Sequence, residues 1–184
     1  MGCVTRESLG LKDGEVVVLA YDPRWRDQFE GLKEQLSALG PAVLAVHHVG
    51  STAVPGLCAK PILDVLVSIP DHSRGADLVP GLEALGFEYR PDGDIPDRHF
   101  FRRRKNGIRT CHLSLAEPNS QHQTVTLAFR DALRGDVQLA TAYADLKREL
   151  ARQFPFDRPS YLTGKSEFIA RVVAGADANR SGAW

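Results

Sequence analysis

VHHVGSTAVPGLCAKPILDVLV, residues 46–67, joins two apolar segments through a Gly-Ser turn and sets Asp64 inside the second segment. Strand side chains alternate faces. In PILDVLVSI, Leu63, Val65, Val67 and Ile69 therefore share one face, and Ile62, Asp64, Leu66 and Ser68 share the other. The first face belongs to a core. On the second, Ile62 and Leu66 flank the carboxylate, and burying a carboxylate without a partner costs several kcal/mol. A salt bridge, a set of backbone N–H donors or a metal ion would remove that cost. The plain alternative is a structural Asp paired with an arginine or capping a helix. The turn upstream adds weight to a functional reading, because Gly50 lets a phosphate approach the backbone without a Cβ in the way. Its N–H groups, with the Ser51 and Thr52 hydroxyls, would form an anion cradle. A Gly-Ser turn without a ligand is common, so the turn alone decides little.

The segments around this block alternate between strand and helix signals. Val16 to Leu19 reads as extended. Asp22-Pro23 reads as a helix N-cap with proline at the first helical position. Trp25, Phe29, Leu32, Leu36 and Leu39 then form one apolar stripe, which Gly40-Pro41 ends. Ala42 to His48 and Ile62 to Ile69 read as strands. Leu78, Leu82 and Leu85 predict a helix kinked at Pro80-Gly81 and stopped at Gly86, before a strand over Phe87 to Arg90. FFRRRKNGIRTCHLSL carries Asn106-Gly107, the strongest short-range hairpin signal. A two-residue loop there puts Arg103 opposite Thr110 and on the face of His112. A three-residue loop ending at Ile108 puts Arg102 opposite His112 instead, and a one-residue slip exchanges the faces. The last third is helical: Val125 to Arg134, then a stripe of Leu139, Tyr143, Leu146 and Leu150, then a helix opened by Asp157-Arg158-Pro159 and carrying Phe168, Ile169, Val172 and Val173. The order predicts an α+β fold, a small mixed sheet flanked by helices and closed by a helical C-terminal third. Residues 1–176 are expected to form a single domain and 177–184 a flexible tail.

A chain of 184 residues fits one domain. Lysine plus arginine equals aspartate plus glutamate at 23 each, so no global pull toward nucleic acid or membrane is expected. Cys3, Cys58 and Cys111 contain no C-x-x-C pair, which leaves neither a disulfide framework nor a cysteine zinc site. MGCVTRESLG lacks the apolar core of a secretory signal, and its short match to an acylation signal is set aside. No apolar run approaches the roughly 20 residues that span a bilayer. A cytoplasmic protein with no membrane or DNA partner is the expectation.

An apolar residue, Gly-Ser, a spacer and then an Asp between apolar strand residues resembles the signature of the nucleotidyltransferase fold. More narrowly, HVGSTAVPGLCAKPILDVLV resembles the GrpB-like family of that superfamily. AYDPRW, HFFR, RTCHLSLAEP, LAFRDALR, YADLKRELA and KSEFI extend the resemblance over nearly the whole chain. It implies a sheet of nucleotidyltransferase type, a turn holding nucleotide phosphates, and a strand carboxylate holding Mg²⁺ or Mn²⁺. Two departures stand out. The second acidic position of the superfamily is Leu66 here. The family's histidine-rich strand, resembling HHLHV, reads CHLSL, which leaves His112 with Cys111 and Ser114 in the other positions.

The candidate residues are Asp64 as metal ligand, His112 as a second metal ligand or proton acceptor, and His48 as a further proton acceptor, the three converging on one pocket. Gly50, Ser51, Thr52, Lys60 and Arg102 are the candidates for phosphate binding, Arg102 being the hairpin arginine that the family resemblance picks out. A neutral histidine serves as a base or ligand near neutral pH, and an arginine fork bonds two phosphate oxygens. Arg103 and Lys105 read as solvated. LTGKSEF resembles a phosphate loop but fails, since the earlier glycine falls at Pro159 and no strand precedes it, so Lys165 is expected to support the last helix. The expected activity is transfer of a nucleotidyl group from a nucleoside triphosphate to a small acceptor. The alternative is a binding module for a nucleotide- or coenzyme A-like ligand that has lost the chemistry. Zero net charge and one short basic run argue against a tRNA substrate.

Overall fold

Asp22 starts the first helix much as its sequence suggests. Its carboxylate accepts the Arg24 N–H at 3.0 Å, and helix α1 runs Arg24–Ser37 in this computed structural model, which describes residues 9–91 and 97–181, with side chains as far as residue 176. Trp25, Phe29, Leu32 and Leu36 are buried along one face of α1, and each contributes about 1.5–3 kcal/mol through burial. They meet Leu63, Val65 and Val67 of strand β2 (Leu63–Ser68), the face expected to be core. The rest of the sheet consists of β1 (Ala45–Val49), β3 (Phe87–Tyr89), β4 (His99–Lys105) and β5 (Ile108–Ala116). The order is β1-β2-β5-β4-β3, with β2 and β5 parallel and the other neighbours antiparallel. The short helix α2 (Val79–Ala84) adds Leu82 to the same core. The kink expected at Pro80-Gly81 is instead a boundary. A 3₁₀ turn spans His72–Leu78, and Pro80 takes an N-terminal position of α2, where its missing N–H is harmless.

The other face of the sheet carries the C-terminal helices α3 (Gln121–Gly135), α4 (Val137–Gln153) and α5 (Arg158–Ser181). Ser120, Asp136 and Asp157 cap their N-termini by accepting from the N–H groups of Gln123, Leu139 and Ser160. Leu127 of α3 packs on Val49, Leu66 and Ala116, while Tyr143, Phe168 and Val172 form a second core between the helices. Leu66, in the place of a second acid, is thus fully buried among apolar side chains. Of the tail expected over 177–184, the backbone is helical to Ser181, and residues 182–184 lie outside the described residues, as does Cys3. Cys58 and Cys111 are free and buried.

The hairpin combines features of both registers that the sequence allows. Asn106 and Gly107, both at positive φ (53° and 75°), form a two-residue loop that pairs Lys105 with Ile108. The ladder then slips between Arg103 and Arg104, so that Arg104 pairs with Arg109 but Arg103 pairs with Cys111. Thr110 is the extra residue of this β-bulge, its hydroxyl donating to the Arg103 carbonyl at 3.3 Å. Beyond the bulge, Arg102 stands opposite His112. A loop count alone predicts the opposite face.

Candidate functional site

The strand register places Asp64 in a row across the sheet. Val49 pairs with Asp64, Asp64 with His112, His112 with Arg102, and Arg102 with Glu88. Paired residues share a face, so one side of the sheet presents a carboxylate, an imidazole and a guanidinium in sequence. The His112 Nδ1 lies 3.1 Å from Asp64 Oδ1. That bond places a proton on Nδ1 and leaves Nε2, buried and without a hydrogen-bond partner, as the atom free to take a proton or a ligand. Asp64 is ringed by protein, yet its side chain stays 43% exposed to the cavity in front of it. Burial by itself would raise the carboxyl. The His112 hydrogen bond and the charges of His112, Lys60 and Lys165 outweigh it and hold Asp64 below its ordinary range.

Gly50 is required twice over. Its φ of 69° is unfavourable for any residue with a Cβ, and a Cβ built there would lie 2.5 Å from Asp64 Oδ2. The turn continues as a 3₁₀ turn over Ser51–Ala53, and Arg134 of α3 steadies it by donating to the Ala53 carbonyl at 2.7 Å. Beside the turn lies a cavity of about 240 Å³ lined by Ser51, Lys60, Asp64, Lys147, Tyr161 and Lys165. Lys147 of α4 is buried; its Nζ donates to Ser51 Oγ at 2.9 Å and to the Cys58 carbonyl. Lys60 and Lys165 place Nζ 5.1 and 4.6 Å from the centroid of the Tyr161 ring. Burial and the neighbouring cations push these amines down, Lys60 and Lys147 to about 7 and Lys165 to about 8. Three desolvated lysines around one carboxylate leave an excess of positive charge, and a polyanion would satisfy it.

His48 stands apart from this group. It pairs with Val65, so its side chain faces α1, stacks on Phe29 with ring centroids 4.5 Å apart, and lies 2.9 Å from Thr52 Oγ1. Burial pushes it down to about 4, so it is neutral at physiological pH. The convergence expected of His48, Asp64 and His112 therefore holds for the last two alone, because β1 presents Val49, not His48, on the face of Asp64. Thr52 is buried with its hydroxyl turned to His48, although it also borders the lysine cavity. Of the two departures in CHLSL, Cys111 pairs with Leu63 in the core, and only Ser114, paired with Leu66, faces the site. Lys165 lines the cavity instead of merely supporting α5, because α5 folds back across the mouth of the turn. Arg103 is half-buried, its guanidinium 5.1 Å from the Phe87 ring centroid, and Lys105 is exposed.

The sequence reading does not find Lys147, Arg158 or Tyr161. Lys147 follows Tyr143 by four positions and precedes Leu150 by three, inside the apolar stripe of α4. A lysine on a buried stripe is the available signal. Among the described residues, no group of three or more His, Cys, Asp or Glu is placed to hold a metal. Asp64, with Oδ2 toward the turn and the cavity open before it, fits a cation that takes its remaining ligands from water and phosphate oxygens. No helix among the described residues is long and apolar enough to cross a membrane.

The profile of the family described as GrpB protein matches residues 15–174. A UPF0157 protein of Pseudomonas aeruginosa is 39% identical over 168 residues, covering 89% of this chain and 69% of that protein. The UPF0157 protein YqkA of Bacillus subtilis is 32% identical over 88% of this chain, and the chain spans only 47% of its length. The crystal structure of GrpB from Enterococcus faecalis aligns with a TM-score of 0.81 at 34% identity, covering 87% of this chain and 96% of that one. Cid1 poly(U) polymerase, with Mg 3'-dATP bound, aligns with a TM-score of 0.55 at 15% identity over 80% of this chain and 49% of its own. Likeness at that identity shows the fold alone, which is of nucleotidyltransferase type.

Proposed function

The chain belongs to the GrpB family, and from that premise we propose that it is a metal-dependent nucleotidyltransferase acting on a small-molecule acceptor in the cytoplasm. The observation that carries this reading is the lysine-lined cavity between the Gly50-Ser51 turn and Asp64. The phosphates of a nucleoside triphosphate would lie in it against Ser51, Lys60, Lys147 and Lys165. Magnesium or manganese bound at Asp64 would neutralise charge on the phosphates and align them. Phosphoryl chemistry of this kind depends mainly on positioning and on charge placed where it develops. His112 Nε2, the nitrogen left open by the bond to Asp64, is the group suited to accept the acceptor's proton. His48 takes no part, because it is turned into the core on the opposite face of the sheet.

Turnover tests this reading. Purified protein incubated with Mg²⁺, each of the four ribonucleoside triphosphates and an extract of small metabolites should release pyrophosphate and form a nucleotidylated product seen by mass spectrometry. The product should vanish with Asp64→Asn. A second reading, a binding module without chemistry, is favoured by the burial of Leu66 where a second metal carboxylate would stand. Triphosphate or coenzyme A binding that needs no metal, with no product after prolonged incubation, would select it.

A further inference from the structure

A second cavity, of about 530 Å³, opens on the other side of the Asp64–His112 pair. The two cavities share Gly50, Asp64, His112, Arg158 and Leu162, so the Asp64–His112 pair lies in the partition between them. Their linings differ. The first presents lysines, whereas the second presents Arg90, Arg98, Arg102 and Arg158 around a floor of Leu66 and Ser114. Its only lining carboxylate among the described residues is Asp64, which His112 already engages.

These arginines contrast with their neighbours on the same hairpin. Arg104 pairs with Asp13 at 2.7 Å and with Glu88 at 2.8 Å, and Arg109 pairs with Asp13 at 2.7 Å. Arg102 is one bulge away from them and has no ion pair among the described residues. Its Nε is buried without a hydrogen-bond partner, and the same holds for Arg158 Nε. A buried guanidinium nitrogen without an acceptor is costly, so such groups ordinarily have partners. Burial, and next the charges of Arg90 and Arg104, push the Arg102 guanidinium below its ordinary value against the opposing pull of Asp13 and Glu88. Arg98 lies 4.6 Å from the centroid of the Phe100 ring, which fixes a flat wall beside Arg102. Planar forks of this kind match carboxylate and phosphate geometry, and the cavity has the size of a small-molecule site.

We infer that this arginine-lined cavity holds the acceptor, and that the acceptor is a small organic acid anchored by a carboxylate or phosphate on Arg102 and Arg158, with Arg90 adding charge. The role of acceptor rests on the nucleotidyltransferase reading; the anion site does not. Across the partition, the acceptor reaches the donor's phosphates past His112. The bulge at Thr110 is then what makes the site, since it turns Arg102 rather than Arg103 toward the cavity.

The test uses the full chain, with and without Mg²⁺ and a non-hydrolysable ATP analogue. Glutarate, glycerol phosphate and glutaramide are titrated in turn while the arginine Nε–H resonances are followed by NMR, Arg102 and Arg158 being assigned through their lysine variants. One or both acids should move the Arg102 and Arg158 resonances, and the acid that does so identifies the anchoring group; the neutral diamide should not. Arg102→Gln should weaken that acid at least tenfold and leave the ATP analogue within twofold. Arg102→Lys, which keeps the charge, should weaken the acid by an intermediate factor. Acids that leave both resonances unmoved, a diamide that moves them equally, or an unchanged affinity in Arg102→Gln would overturn the inference. Analogue binding is read separately: its absence alongside acid binding removes the nucleotide reading, whereas its presence without acid binding removes only the acid site.

Discussion

The two faces of the sheet come from alternate residues of the same strands and differ in everything else. On one face Leu63, Val65 and Leu113 meet Trp25, Phe29 and Leu36, and even a histidine there, His48, is stacked and neutral. On the other, one residue away, Asp64 and His112 form a hydrogen-bonded pair between two cationic cavities. The difference teaches that identical residue types acquire a role only through register. His48 and His112 both lie on strands beside β2, but one pairs with Val65 and the other with Asp64.

That contrast can be broken by mutation, and Asp64→Asn should have the largest effect. It should lower nucleotidyl transfer about 1000-fold, which corresponds to roughly 4 kcal/mol, because it removes the negative charge that holds both the cation and His112. The melting temperature should change little, since the carboxylate faces a cavity; a collapse of the fold would make Asp64 structural. Leu63→Ala, the adjacent residue on the opposite face, should do the reverse. It should cost about 2–5 kcal/mol of stability by chemical denaturation, with activity per folded molecule unchanged. His112→Gln should slow transfer about 100-fold through loss of proton transfer. His48→Gln should leave the rate within about threefold and cost about 1 kcal/mol of stability. Equal rate losses in the two variants would erase the distinction between the faces.

A separate test uses pH. Lys60 and Lys147 titrate near 7 in the folded chain and Lys165 near 8, against 10.5 as the ordinary lysine value. Between about pH 7 and pH 10 the unfolded chain therefore binds more protons than the folded one, and the stability of the free protein should rise across that window. Affinity for a polyanion should move the other way, falling as these amines lose their charge above pH 7. Denaturant titrations and ligand titrations at pH 6.5, 8 and 9.5 check both signs. Lys147→Met should flatten both slopes.

Much of this was legible in the sequence, for local reasons. The stripe from Trp25 to Leu36, the Gly-Ser turn and the alternation around Asp64 each depend on a short window. What was not legible depends on pairing across distance. The bulge at Thr110 changes the register beyond the loop, so the two simple registers could not be separated by counting. His48 enters the expected site through the family resemblance, whereas the face it takes relative to Asp64 is fixed by the pairing of β1 with β2. Lys147 lies 96 positions from Ser51 and touches it only because α4 crosses the turn.

The central claim is that Asp64 and the three lysines bind the phosphates of a nucleotide through a metal ion. Calorimetric titration with a non-hydrolysable triphosphate measures it directly, using the unaltered protein with and without Mg²⁺, Asp64→Asn and Lys147→Met. Binding that weakens at least tenfold without the metal and at least tenfold in each variant is the predicted result. No binding to the unaltered protein, or an affinity that neither variant changes, would contradict it.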